Sequence, residues 1–261
     1  MIRRVVTAYL VEIQKALHAK STYVGPLLII LVMALMPMVD RVERDQVSDY
    51  GFAARSTGVA LNLLGLLLVL TYCASLVSSE IESGTIRLAL VRPLRRYEFL
   101  AAKLLLGATY ALALVVLVAL LAWGGLLLFG DTQGVTYGGE VVFTNHTMIR
   151  SYLLALVLTM APLCAAVAFA VAMSTVAKST GAAIGATVAI WFAGDILKYP
   201  LHIAPFLFST YIESPLELFA NQADAFDPQW FPMALYCIAT SLAWGAAAVA
   251  LAVLVLRRRS F

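Results

Sequence analysis

Six long apolar runs constrain this chain more than any other feature. They cover residues 23–39, 59–77, 104–129, 152–173, 181–197 and 232–256. A helix needs about 20 apolar residues to cross a hydrocarbon core of about 30 Å, and a soluble core has no use for runs of that length. Composition agrees: 62% of the residues are hydrophobic and 13% charged, with a mean hydropathy of +0.90. An ordinary soluble domain is about half apolar and about a quarter charged. The sequence therefore predicts an all-α membrane protein with six transmembrane helices, built as a single transmembrane domain over residues 1–261.

An even number of spans puts both termini on one side. That side carries Arg3, Arg4, Lys15, Lys20, Arg87, Arg92, Arg95, Arg96, Lys103, Lys178, Arg257, Arg258 and Arg259, thirteen of the 18 basic residues. The opposite side holds Arg41, Arg44, Arg55, Arg150 and Lys198, together with most of the acids. Basic flanks resist translocation while acids contribute little, so the richer side is expected to be cytoplasmic. The expectation is a multi-pass protein of the cytoplasmic (inner) membrane with cytoplasmic N- and C-termini. The first twenty residues have no contiguous apolar core and no small-residue cleavage site, so no cleavable signal peptide is expected.

Ahead of the first run, Ile2, Val6, Tyr9, Leu10, Ile13 and Leu17 recur at three- and four-residue spacing, with charged and polar residues on the rest of the wheel. Residues 1–20 are expected to form an amphipathic interfacial helix on the inner leaflet and its lipid. Between the last two runs, residues 199–231 contain the apolar stretch Leu201 to Tyr211, broken by Pro205 and bounded by Pro200 and Pro215. That stretch is too short to cross, and the preferred reading is a re-entrant segment dipping in from outside. The remaining outer loops, 40–58 and 130–151, are too small for an independent domain.

Residues 78–103 form the inner loop where charge is densest. Ser79 with Glu82 three residues later fits a capping box, which predicts a short helix beginning near Glu80. Pro93 ends that helix or turns the chain. Such a unit sits between two spans and offers Glu80, Glu82, Arg87, Arg92, Arg95 and Arg96 to a soluble partner. The plainer alternative is a solvated basic loop lying along the lipid.

Glu82, Gly84 and Thr85, followed by an apolar step, Pro93, Arg96 and then Lys103 at the next span, form a pattern that resembles the cytoplasmic loop of ABC type-2 exporter permeases. Glu82 stands closer to the glycine than the usual first acid, which falls at Glu80. The resemblance extends to nearly the whole chain, through Glu12 and Lys15 before the first span, the six spans and the long outer segment. It implies a helix along the inner leaflet, a coupling helix that docks on an ATPase, and re-entrant outer helices. It further implies a permease dimer, as a homodimer, driven by two copies of a separate nucleotide-binding subunit that holds ATP and Mg. No cofactor and no nucleic acid are expected on this chain, and it is not expected to be an enzyme by itself. Accordingly no G-x-x-x-x-G-K-[ST] loop occurs in the sequence.

Within the runs, Asp195 is the one acid, and an intramembrane charge is a functional candidate unless it is paired; Lys198 lies three residues on. Asn62 and Thr187 either line a path or bond neighbouring helices. Gly181 and Gly185 make a small-xxx-small face for close packing within or between protomers. Cys73, Cys164 and Cys237 lie inside apolar runs and read as packing or lipid-facing residues. His18, His146 and His202 are scattered between sides, so no metal site is expected, and H-E-x-x-H and G-x-S-x-G are absent. Two other functions stay open: a secondary transporter, which calls for several buried ionisable groups near the midplane, and a membrane anchor or sensor for a cytoplasmic partner.

Overall fold

A computed structural model describes residues 2–40, 49–85, 95–130, 132–137 and 140–258. Helix α1 (Ile2–His18) is followed after a two-residue break by α2 (Ser21–Asp40). Next come α3 (Asp49–Val59), a π-helical segment (Ala60–Gly65) and α4 (Leu66–Glu82), which run on as one long rod. Helices α5 (Arg96–Phe129), α6 (Asn145–Val176), α7 (Thr180–Leu197), α8 (Thr210–Ala223) and α9 (Trp230–Arg258) complete the bundle. A hairpin of β1 (Val135–Tyr137) and β2 (Glu140–Phe143), antiparallel, joins α5 to α6 and is the one departure from an all-helical chain among the described residues.

The chain is a multi-pass α-helical membrane protein. Five helices are long and apolar enough to cross, namely Asp49–Glu82, Arg96–Leu128, Asn145–Val176, Thr180–Leu197 and Trp230–Arg258. A sixth is reached if α1 and α2, bent by 63° at their junction, count together as one broken span. The helices outrun the apolar runs because backbone hydrogen bonding continues past the residues that lipid requires to be apolar. The largest extension corrects the expected loop at 40–58. From Asp49 onward it is helical, and Tyr50, Ala53, Ala54, Ser56 and Thr57 are buried, with α3 packed on α5 and α8.

Helix α6 is the hub, in contact with α4, α5, α7, α8 and α9. Of its apolar window 67% is buried, against 17% for α7 and for α9. Its inner faces are lined by Ala155, Ala165, Ala166, Ala170, Ala172 and Ser174, whose short side chains let neighbouring backbones approach. Gly107 of α5 shows how near they come: a Cβ there would lie 2.6 Å from Val167 Cγ1 and 2.8 Å from Cys73 Sγ.

Helix α8 docks through aromatic rings. Phe219 meets Tyr152 (5.2 Å between centroids), Tyr152 stacks on Trp123 (5.2 Å), and Trp123 leans on Tyr50 (6.3 Å). Thr57 and Tyr152 share a hydroxyl hydrogen bond of 2.7 Å. The apolar stretch Leu201 to Tyr211 is divided between a short 3-10 turn (Ala204–Phe206) and the first turn of α8, and Pro215, expected as a boundary, lies inside α8.

Candidate functional site at the basic end of the bundle

The two ends of the inner loop are held by a cluster of four charges. Lys103, near the start of α5, is buried, with its side chain 3% exposed. Its ammonium donates to Glu12 Oε2 of α1 at 2.6 Å and to Glu80 Oε1 of α4 at 2.7 Å. Lys15, one turn after Glu12, donates to Glu12 Oε1 at 2.7 Å and reaches Glu80 Oε1 at 3.4 Å. Two cations and two anions thus balance where three helices meet. A buried charge without such partners would be strongly unfavourable.

Burial pushes the Glu12 carboxyl up, but Lys103 beside it, with Lys15, outweighs burial and holds it below its ordinary 4.5. For Lys15 burial pulls down, while Glu12 and Glu80 outweigh it and hold the ammonium above its ordinary 10.5. The second oxygen of Glu80, Oε2, is buried, and no described residue donates to it.

Sequence reasoning set Glu12 and Lys15 apart from Glu80 and the loop, and the structure brings them together. The amphipathic stripe divides in two. Tyr9 and Ile13 turn toward the protein, Tyr9 sharing a 2.6 Å hydroxyl bond with Thr109 of α5, while Val6, Leu10 and Leu17 are exposed beside them. An apolar strip thus flanks the docked face of α1.

The expected capping box is corrected. Ser79 and Glu82 belong to the last turn of α4 and do not start a new helix: the Ser79 carbonyl accepts from the Ser83 amide at 3.0 Å and from the Ser83 hydroxyl at 2.7 Å. Gly84 at φ +71° stops the helix, a left-handed conformation that suits a residue without Cβ. Thr85 shares a 2.9 Å hydroxyl bond with Ser83. The start of a helix on this loop falls at Arg95, whose amide donates to Glu98 Oε2 at 2.9 Å. Arg87 and Pro93, and with them the expected coupling helix, lie outside the described residues.

Glu82 turns toward α7. Its Oε2 accepts from the Thr180 amide at 2.8 Å, and the Ser179 hydroxyl accepts from Ala182 at 3.3 Å. A carboxylate at a helix N-terminus also complements the helix dipole. Arg96 donates to the Leu256 and Arg257 carbonyls at the end of α9, the latter at 3.2 Å. On α6, the Ser174 hydroxyl accepts from the Val77 and Ser78 amides of α4 at 3.0 and 2.8 Å. Nothing in the spacing of Ser174 announces that role. The boundaries of the inner loop therefore touch α1, α5, α6, α7 and α9.

The candidates within the spans separate. Asp195 accepts from Lys198 at 2.7 Å, an i,i+3 pair at the end of α7. Thr187 is buried and donates to the Ala183 carbonyl of its own helix at 2.7 Å. Asn62 sits in the π-helical segment, half buried, with Oδ1 lacking a donor among the described residues. Gly181 and Gly185 face open space on this chain. Among the described residues no group of three or more His, Cys, Asp or Glu is placed to hold a metal ion.

The family model for a protein of unknown function, DUF2705, matches residues 23–259, and the chain belongs to that family. No curated protein matches it.

Proposed function

We propose that this member of the DUF2705 family is the permease subunit of an ATP-binding cassette exporter. Two copies of the chain form the translocation path, and two copies of a separate ATPase subunit, carrying ATP and Mg, drive it through residues 78–103. What supports the reading is the convergence of the inner loop's boundaries on four other helices and on α1. Lys103 ties α5 to α1 and α4, Glu82 reaches α7, and Arg96 reaches α9. A push on that loop is passed to most of the bundle, since charge-assisted bonds resist separation more than neutral ones. The resemblance at Glu82, Gly84, Thr85, Pro93, Arg96 and Lys103 supplies the class of partner.

In this reading the basic end is cytoplasmic, in keeping with the distribution of Lys and Arg. The bent α1–α2 pair supplies the interfacial helix and the first of six spans. The turn at Ala204–Phe206 with α8 is the re-entrant outer segment, in which α8 is covered by α3 and α6. Open Gly181 and Gly185 on α7 suit contact with the second protomer. The Asp195–Lys198 pairing leaves the main runs without an unpaired acid among the described residues, which favours an ATP-driven path over a gradient-driven one.

The test is co-purification with an ATPase encoded next to this chain, followed by ATP hydrolysis in proteoliposomes. Glu82→Ala with Arg87→Ala is expected to lower association and stimulated hydrolysis together. Wild-type association and hydrolysis in that variant would sink the coupling assignment. Association without any substrate-dependent hydrolysis would favour a tethering subunit.

A further inference from the structure

Helix α7 packs mainly on α4 and α6, and it does so through a narrow stripe that holds a polar atom without a partner. The buried residues of α7 are Ala183, Thr187 and Trp191, each four apart, and Gly194 continues the same face. Trp191 is 8% exposed, and its indole N–H, which can only donate, meets no acceptor among the described residues. Three residues on, a Cβ at Gly194 would meet nothing within 4 Å, so the packed face of α7 opens one turn beyond the indole. Gly181 and Gly185, also open, lie off this stripe.

The surface of α4 that faces α7 is identified by Glu82, which reaches the Thr180 amide at the start of α7. Thr71, Ser75 and Ser78 precede Glu82 at steps of four, three and four residues and so share its face. The two helices run in opposite directions from that contact. Ser75 and Thr187 both lie seven residues from it, and Thr71 and Trp191 both eleven, about 10 and 16 Å along the axes. Each hydroxyl donates within its own helix: Thr71 to the Leu67 carbonyl at 2.8 Å, Ser75 to that of Tyr72 and Thr187 to that of Ala183, both at 2.7 Å. Each oxygen therefore keeps capacity to accept. The seam offers one donor among several acceptors, and neither residues 71–78 nor 180–194 include a charge. A charged ligand would lose its water there without gaining a counter-charge.

We infer that the seam between α4 and α7 binds a neutral amphiphile carrying a hydroxyl group. The ligand hydroxyl accepts from Trp191 Nε1 and donates to the Thr71 oxygen, which lies level with the indole, while the alkyl chain leaves past Gly194. A hydroxyl meets both needs, whereas a carbonyl or an ether only accepts. The inference rests on the export reading only in calling this ligand cargo. Binding is measured on the chain without an ATPase, so either idea can fail alone.

The experiment uses the purified chain, with nitrogen-15 in its tryptophan indoles, in phosphatidylcholine nanodiscs and with 1-dodecanol as probe. The Trp191 N–H resonance is assigned by its absence in Trp191→Phe, and the signals of Trp123, Trp230 and Trp244 report that each variant stays folded. A saturable downfield shift of the Trp191 signal is expected with 1-dodecanol. The affinity should exceed that for 1-methoxydodecane, which cannot donate, by about tenfold, and dodecane should leave the signal in place. Thr71→Val should bring alcohol and ether to equal affinity while the shift itself persists. The absence of a saturable shift with 1-dodecanol, an equal shift with dodecane, or an alcohol preference unaltered in Thr71→Val overturns the inference. A Trp191 signal already downfield in the ligand-free chain and unmoved by the probe does so too, by assigning the seam to resident water.

Discussion

Lys103 and Lys198 are buried to nearly the same degree, with side chains 3% and 4% exposed, yet they do different work. Lys103 takes its carboxylates from α1 and α4, separated from it by 91 and 23 residues. Lys198 takes its carboxylate from Asp195, three residues back, which is itself 34% exposed. The first pairing holds three helices together, and the second satisfies the end of one. Burial alone does not reveal which charges organise a membrane protein; the origin of the partner does.

The sharpest way to break this comparison is to remove each cation in turn. Lys103→Met leaves Glu12 and Glu80 facing each other without Lys103, and a cost of about 3–5 kcal/mol is expected in thermal unfolding in detergent. Adding Glu12→Gln and Glu80→Gln to that variant should recover most of the loss, since the uncompensated anions are gone. Little recovery would mean that the lysine stem's packing, not its charge, holds the junction. Lys198→Met should cost about 1 kcal/mol, because Asp195 can turn to water. A loss as large as that of Lys103→Met would erase the distinction.

Lys15 offers a graded control in the same cluster. It touches the same two carboxylates as Lys103 but is 57% exposed, so Lys15→Ala should cost less than about 1 kcal/mol and the cost should shrink as salt is raised. Acid titration gives the smallest and most specific signal. The Glu12 carboxyl is held below 4.5 in the folded chain, so its contribution is complete above that value and drains away as pH falls through the folded value. The stability gap between wild type and Glu12→Gln should therefore be flat near neutrality and close below pH 4.5. Lys15 behaves in the opposite sense, contributing fully below 10.5 and losing its share as pH rises past its raised folded value.

Much of this arrangement was legible in order. The apolar runs announced every long helix, because lipid demands a contiguous sequence of apolar residues and that demand is local. The Asp195–Lys198 pair was equally visible, since i,i+3 residues share a helix face. Lys103 left only a negative clue: neither it nor Glu80 has an opposite charge three or four residues away, so each needed a partner from elsewhere. The Ser79–Glu82 spacing misled because a serine and a glutamate three apart fit the last turn of a helix as well as the first. Continuity of the backbone bonds into Ser79 and the positive φ at Gly84 settled which.

By itself, then, the sequence determined that the chain crosses a membrane several times, where its apolar helices lie, and that positive charge gathers at one end. Each of these depends on residues near one another in the chain. Only the tertiary structure decided that Glu12 and Glu80 share Lys103, that Glu82 caps α7, and that Ser174 serves α4. Those pairings join positions far apart in sequence, and composition and periodicity carry no record of them.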